Sequence, residues 1–428
     1  MADKTGKTTK RNKKPRMSRK ARNISIIILI IMMLVAGGFL VMLTLVDAFP
    51  ADMLTMMIGV LAGLLVVSGI LLFMRNKWLR GIGMLLAVVL VVLYGTGIYY
   101  MKSTYAMFSK ISAEENAAVD AEAVEVTEKP FNIYITGIDQ WNEDEGLDLE
   151  RSDVNMILTV NPVTKKIMLT SIPRDAYVPL HRTGTMDKLT HTGIYGVDET
   201  LNTVHDWTGL DLNYYVKANF DACVDLVDAI GGIDIDNPEE FTSAITEHLY
   251  PKGKIHLKGY GALYYARERK AFEGEDQLRV RNQLRVVEAI LDKVLSSKTL
   301  LTSYGDIMDV LGKEIETNMP TEDIQALVKM QLSDMRKWKI ESQRMSGEYE
   351  MEVVASMDAS NKYLVLKVSD KTFKKCMKGI DKIMNPTQEE LDAIATEEKR
   401  TLFKEFVNKV TGRGDSEEAE DVAAEDQE

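Results

Sequence analysis

The stretch "RSDVNMILTVNPVTKKIMLTSIPRD", Arg151 to Asp175, decides the fold class. Within it "VNMILTV" and "KKIMLTSIPRD" are runs rich in strand formers and too short for an ordinary helix. The second must stop near Pro173, which has no N–H to give to a strand ladder. Upstream, "FNIYITGID" is a third β-rich run. Downstream the period changes. In "FDACVDLVDAIGG" the residues Phe220, Cys223, Val224 and Val227 recur at helical spacing, and Gly231 and Gly232 form a backbone stop signal rather than a phosphate loop. A long helix is expected to begin near Asp276 and to bury Val286, Val287, Ile290, Leu291 and Val294. Strand and helix signals alternate, so the body of the chain is expected to be an α/β domain.

Toward the N-terminus the 46% hydrophobic content is concentrated in three uncharged runs, Ile24 to Val46, about Met53 to Met74, and Gly81 to Met101. Each approaches the roughly 20 residues that a helix needs to cross a bilayer. Three transmembrane helices are therefore expected over 24–102. The first 23 residues carry ten Lys and Arg against the single acid Asp3, which marks a cytoplasmic end by the positive-inside rule. The first connection, "VDAFPAD", has two acids and no base, and the second, "RNKWLR", is basic again. An odd number of crossings leaves everything beyond Lys102 outside the cell membrane. That outer portion is more acidic than the net charge of −12 for the whole chain, which excludes a nucleic-acid partner for it.

Residues 103–129 include "ISAEENAAVDAEAVEVTEK", rich in Ala and Glu, and read as a linker. The segment 384–412 is expected to be helical, because Thr387 stands three residues before Glu390 as a capping box, and Thr321 gives a similar start signal to the preceding helix. Residues 413–428 are an acidic tail expected to be disordered. Cys223 reads as a small core residue, and a disulfide to Cys376, the only other cysteine, stays open outside the cytoplasm because sequence alone does not establish its geometry. His181, His191, His205, His248 and His256 show no paired metal-ligand spacing, and GxSxG, GxxxxGK[ST] and HExxH are absent.

The cations are unevenly placed. "YYARERKAFEGEDQLRVRNQ", Tyr264 to Gln283, holds Arg267, Arg269, Lys270, Arg279 and Arg281. Read as extended chain, Arg267 and Arg269 share a face with Tyr265, and two adjacent guanidiniums call for an anion between them. In the following helix Asp276, Arg279 and Gln283 line one face, and Asp276 is also a candidate N-cap. A second set comes from strand ends: Asp139 after the first strand, Arg151 and Asp153 at the start of the second, and Arg174 and Asp175 after the third. Ligands of open α/β sheets gather where strands finish. Arginine forks match phosphate oxygens, and carboxylates among them make sense if Mg²⁺ or Mn²⁺ sits between Asp and a diphosphate. The plain alternative for "ARERK" is a set of exposed ion pairs.

The ordered blocks "TGID", "RSDVNMILTVNPVTKKIMLTSIPRD", "DKLTH", "DLVDAIGGIDI", "HLKGYGALYYARER" and "EDQLRVRNQ" resemble the LytR-CpsA-Psr family of bacterial cell-envelope proteins over about residues 130–300. The resemblance implies a central mixed β-sheet flanked by helices, with 130–300 as the catalytic domain and 301–383 as its C-terminal extension. It implies a phosphotransferase that moves a glycopolymer, teichoic acid or capsule among them, from undecaprenyl diphosphate to peptidoglycan. Arg151, Arg174, Lys188, Arg267, Arg269, Arg279 and Gln283 then hold the substrate, Asp139 and Asp153 the divalent ion, and Asp153, Asp175 and Asp276 are the catalytic candidates. An apolar pocket between sheet and helices is implied for the polyprenyl tail. Where many members have Arg-Gln, this sequence has Asn282-Gln283, with Arg281 one residue earlier. A hydrolase of prenyl diphosphates and a transcriptional regulator are the competing readings.

Overall fold

The structure is a computed structural model that describes residues 18–46, 49–111, 124–138, 151–269 and 275–396. The basic N-terminus up to residue 17, Asp139 and the acidic tail lie outside the described residues.

Three helices come first, α1 (Arg19–Val46), α2 (Ala51–Leu72) and α3 (Lys77–Ile111). All three are long and apolar enough to cross a membrane. They run up, down and up. Ser25 near the start of α1 donates to the Leu72 carbonyl at the end of α2 (2.8 Å), and Ser68 and Tyr94 tie α2 to α3 through the carbonyls of Gly83 (3.1 Å) and Leu61 (3.1 Å). Such hydroxyl-to-backbone bonds and small residues are what holds helices together where no hydrophobic drive separates them from lipid. Gly97 is one such residue, since a Cβ there would collide with the Phe39 ring. Helix α3 continues past residue 102 to Ile111, into the stretch expected to be linker, while at the other end of that stretch Val124 and Val126 pack into the core of the following domain.

That domain is built on a six-stranded sheet of β1 (Phe131–Ile138), β2 (Ser152–Asn161), β3 (Lys166–Ile172), β4 (Tyr214–Asn219), β5 (Ile315–Thr317) and β6 (Lys339–Arg344), in the order β5-β4-β1-β2-β3-β6. It is mixed: β1 with β4 and β3 with β6 are parallel, and the other pairs are antiparallel. Alternation along β2 shows why strands form here. Met156, Leu158 and Val160 enter one apolar cluster and Ile157 another, so both faces are covered and the run reads as continuously hydrophobic.

Helices α4 (Val197–Thr208) and α10 (Asp370–Met384) cover one face, with Leu201, Val204, Cys376 and Ile380 against Tyr134, Ile157 and Ile172. Helices α7 (Glu275–Val294) and α9 (Thr321–Asp334) cover the other, where Val280, Leu284 and Val287 meet Met156 and Leu158. A third cluster joins α5 (Phe220–Ala229), α6 (Gly259–Arg267), α8 (Ser297–Glu314) and the ribbon of Ile233–Asn237 with Gly253–Leu257. Gly231 and Gly232 end α5 at φ +80° and +92°, backbone that favours glycine.

Some local expectations change. The stretch 259–267 is not extended: α6 runs to Arg267, because Ala262, Leu263 and Ala266 recur at helical rather than alternating spacing. Asp276 is the second residue of α7 instead of its N-cap, and Pro320, not Thr321, occupies the N-cap position of α9. The capping box at Thr387 is present, with reciprocal bonds of 3.3 Å between Thr387 and Glu390 opening a helix over 388–396. Cys223 and Cys376 are both free thiols in different apolar clusters.

Candidate functional site

The parallel strands β1 and β4 end side by side, Ile138 opposite Asn219. At Asn219 the chain turns into α5, its side chain capping the helix by accepting from the Ala222 amide at 2.7 Å. A cavity of about 380 Å³ lies at this edge of the fold, lined by Asp153, Arg174, Phe220, Arg267, Arg269, Arg279 and Gln283, with Ala244, Ile245 and Glu268. Each cation arrives on a different support. Arg174 follows β3, Arg267 closes α6, Arg269 stands two residues beyond, and Arg279 faces inward from the second turn of α7, one turn before Gln283. The helical ending explains why Arg267 and Arg269 still meet in one cavity: the chain leaves α6 at Glu268 in an extended conformation, φ −63° and ψ 131°.

Burial and pairing grade these side chains. The Arg267 guanidinium lies 4.6 Å from the centre of the Phe220 ring, a cation–π contact that holds it at the cavity wall. Arg279 is only 4% exposed, a burial that arginines bear only with counter-charge or hydrogen bonds nearby. Arg174 binds Asp153 at 2.7 Å and reaches Asp175 at 3.7 Å, and Asp175 in turn accepts from Lys188 at 2.8 Å. Asp175 and Lys188 therefore belong to the same charge chain one step away from the lining.

Other expected residues stand elsewhere. Arg151 is exposed and does not line the cavity. Arg281 is exposed on α7 and lies near Arg344, whose guanidinium is held below its ordinary value by burial and then by the Arg281 charge. The Asn282 beside it is buried, donating to the Tyr265 carbonyl (3.0 Å) and accepting from Arg285 (2.8 Å), so it ties α7 to α6. Tyr265 points into the core, away from the face assigned to it by an extended reading. The side chain of Asp276 lies outside the described residues.

Sequence reasoning missed Glu268. It is fully buried, with one carboxylate oxygen accepting from the Ala244 amide at 2.8 Å and the other from the Arg269 amide at 3.0 Å. It thereby fixes both the 243–246 turn and the backbone that carries Arg269. Its position between two site arginines was the only signal. Also missed was a buried polar network in which Tyr134 and Ser152 both donate to Asn155 and Ser152 meets Thr136, anchoring the strand that presents Asp153. Burial raises the Tyr134 hydroxyl well above its usual range, so it stays a neutral donor.

A second hollow of about 300 Å³ adjoins the first and shares Phe220, Arg267 and Gln283 with it. Apart from Thr136 and Asn219 its remaining wall is apolar, with Ile133, Ile135 and Val154 from the sheet, Leu226, Leu263, Val286, Val287 and Ile290 from helices, and Leu311 and Ile315 where α8 passes into β5. Cys223 also lines it, but burial pushes that thiol up to about 11, which leaves an inert apolar surface instead of a nucleophile.

Among the described residues no three His, Cys, Asp or Glu side chains converge to hold a metal without help. The histidines pair singly, as His181 with Asp206 and His256 with Asp234. Of the two carboxylates that line the cavity, Glu268 is turned to backbone amides, and Asp153, paired with Arg174, fits an ion that takes most of its ligands from substrate phosphates and water.

A mixed sheet with a cationic cavity joined to an apolar cleft, carried on apolar helices, defines a membrane-anchored α/β protein built for an amphiphile with an anionic head. The chain belongs to the LytR_cpsA_psr family, whose profile matches residues 97–379. It is 33% identical over 262 residues to the polyisoprenyl-teichoic acid–peptidoglycan teichoic acid transferase TagU of Bacillus mycoides, covering 59% of this chain and 81% of that one. Among solved structures it is similar to TagV of B. subtilis (28% identity, TM-score 0.50, 61% of this chain and 99% of TagV). It is also similar to TagT bound to LIIa-WTA (26% identity, TM-score 0.50, 64% of this chain and 98% of TagT).

Proposed function

We infer that this protein is a membrane-anchored glycopolymer transferase, which moves a glycopolymer from a polyprenyl diphosphate carrier to peptidoglycan in cell-wall assembly. The observation that carries this reading is the junction of the two hollows at Arg267 and Gln283: a diphosphate in one and a prenyl chain in the other form a single molecule whose head and tail part at that wall. The family and its named transferases agree with it.

The donor is undecaprenyl diphosphate linked to the glycan, and the acceptor is a hydroxyl of peptidoglycan. That hydroxyl attacks the phosphorus nearest the glycan in line; a new P–O bond forms as the P–O bond to the second phosphate breaks, and polyprenyl phosphate departs with the electron pair. Arg267, Arg269, Arg279 and Arg174 hold the equatorial oxygens, and positioning with charge neutralisation is most of what phosphoryl transfer requires. Gln283 offers a neutral donor where head meets tail. Asp153, bordering the cavity, takes the hydroxyl proton; Asp175 is held one step back by Lys188, and both oxygens of Glu268 already accept from amides. Asp153 and Asp139 are the residues to hold Mg²⁺ or Mn²⁺, which when bound would offset phosphate charge.

The basic N-terminus and three apolar helices support an orientation in which the catalytic domain faces outward from the cell membrane. The test is to supply the protein in vesicles with glycan-linked polyprenyl diphosphate and Mg²⁺, with and without peptidoglycan. Glycan joined through phosphate to peptidoglycan is expected. Release of glycan phosphate at equal rates in both samples would make the protein a hydrolase instead.

A further inference from the structure

The segment 103–129 reads as a tether that would leave the catalytic domain at a variable distance from the bilayer, yet the domain rests directly on the membrane helices. The up-down-up course puts the α1–α2 connection and the far end of α3 at the same end of the bundle. Phe49 in that connection and Met101 in α3 both pack against the apolar cluster of the catalytic domain that holds Val227, Tyr265, Ile307 and Met308. Phe49 also packs with Leu300, Tyr304, Val328 and Leu332. Helix α3 lies against α8, and Lys313 near the end of α8 stands in the neighbourhood of Tyr99, at the end of the third apolar span.

These contacts orient α8. Phe49 packs against it at Leu300 and Tyr304, whereas Tyr99 lies in the neighbourhood of Lys313, about 14 Å beyond Tyr304 at 1.5 Å per residue. The helix therefore lies across the end of the bundle, at the level where the apolar spans stop. The two residues that bring α8 and its following strand into the apolar cleft, Leu311 and Ile315, sit at the same end as Lys313. From there the lining runs through Leu226, Leu263 and Val287 to Arg267 and Gln283.

We propose that α8 is the sill of the site: it seats the catalytic domain on the membrane helices so that the apolar cleft opens at the bilayer surface and takes the donor's polyprenyl chain directly from the membrane. This rests on the transferase reading above, and adds to it a route and a fixed geometry. A polyprenyl chain entering a cleft that opened to water would first have to expose its whole apolar surface. Over the sill it passes from lipid to protein, and the diphosphate stays at headgroup level throughout.

Two measurements test the seat separately from the chemistry. The full chain in phosphatidylglycerol vesicles carrying a photoreactive group at headgroup depth is expected to be labelled within 297–315, at exposed Thr302 or Asp306. Labelling confined to 19–99 would overturn the proposal whether or not transfer occurs. In the second, Phe49→Asp is compared with wild type on a long-chain donor in vesicles and on a short-chain, water-soluble donor. About tenfold loss with the long chain and little change with the short one is expected, because only the first draws on binding remote from phosphorus. Equal rates on both donors, unchanged or lost in parallel, would overturn it. If wild type transfers neither donor, the transferase reading fails while the labelling result still decides the seat.

Discussion

The polar cavity and the apolar cleft are neighbours of similar size, about 380 and 300 Å³, that share a wall and almost nothing else. The cavity is assembled largely where segments end or begin, at β3 near Ile172, α6 at Arg267, α5 at Phe220 and the turn at 243–246, with Arg279 and Gln283 reaching in from α7. The cleft is lined by the middles of elements, such as Ile133 and Ile135 in β1 and Val286, Val287 and Ile290 in α7. The difference follows from what each must offer. Side chains at element ends can converge on a compact anion from several directions, whereas an apolar wall needs a continuous surface, which only regular periodicity supplies. The two hollows should therefore fail in different ways.

The sharpest contrast comes from Arg267, which belongs to both walls. Arg267→Ala is expected to lower transfer by about 10²–10³-fold, by the same factor for long- and short-chain donors, with the thermal midpoint nearly unchanged. A loss that grew with chain length would assign Arg267 to the tail. Filling the cleft instead, Leu226→Trp should cost about tenfold on the long-chain donor and spare a short one; equal losses would merge the two hollows into one site.

The smallest effect concerns stability at the cavity's outer edge. Burial alone would raise the Asp187 carboxyl, but hydrogen bonds from His191, the Lys188 amide and Ser356 outweigh it and hold the group below its ordinary value. A depressed carboxyl gives stability that is present above the unfolded value near 3.9 and is lost as pH falls through the folded one. Asp187 fixes the segment that carries Lys188, so Asp187→Asn is expected to remove about 1 kcal/mol at pH 7 and to flatten the fall in unfolding free energy below pH 4. An unchanged acid slope in urea titrations at pH 3 to 5 would place the acid-sensitive group elsewhere.

The same distinction between middles and ends explains what was legible beforehand. The strands of "VNMILTV" and "KKIMLTSI", the stripe of Val286, Val287 and Ile290 and the three apolar spans are periodic, and each lies where its period indicates. Arg267, Arg269, Arg279 and Gln283 were legible as a set because their residue types match phosphate, although the local conformation around the first two was misjudged. Arginines two apart meet in one cavity from a helix end just as they would from a strand, so residues that line one cavity emerged from a misjudged element. Glu268 was not legible, because nothing in "ARERK" distinguishes a carboxylate in solvent from one fixed by the amides of Ala244 and Arg269. Neither was the displacement of Arg151 and Arg281 to the exterior, which depends on tertiary direction rather than spacing. The seat of α8 on the membrane helices arises from contacts between Phe49 and residues some 250 positions later, beyond any local pattern.

The central claim is that cations from separate segments form one grip for a diphosphate. Calorimetric titration of the full chain in detergent with a short-chain prenyl diphosphate and Mg²⁺, beside Arg267→Ala, tests it without requiring transfer. Saturable binding by wild type, weakened by about tenfold or more in the variant, is the predicted result. Equal affinity in the two proteins, or no binding to either, would contradict it.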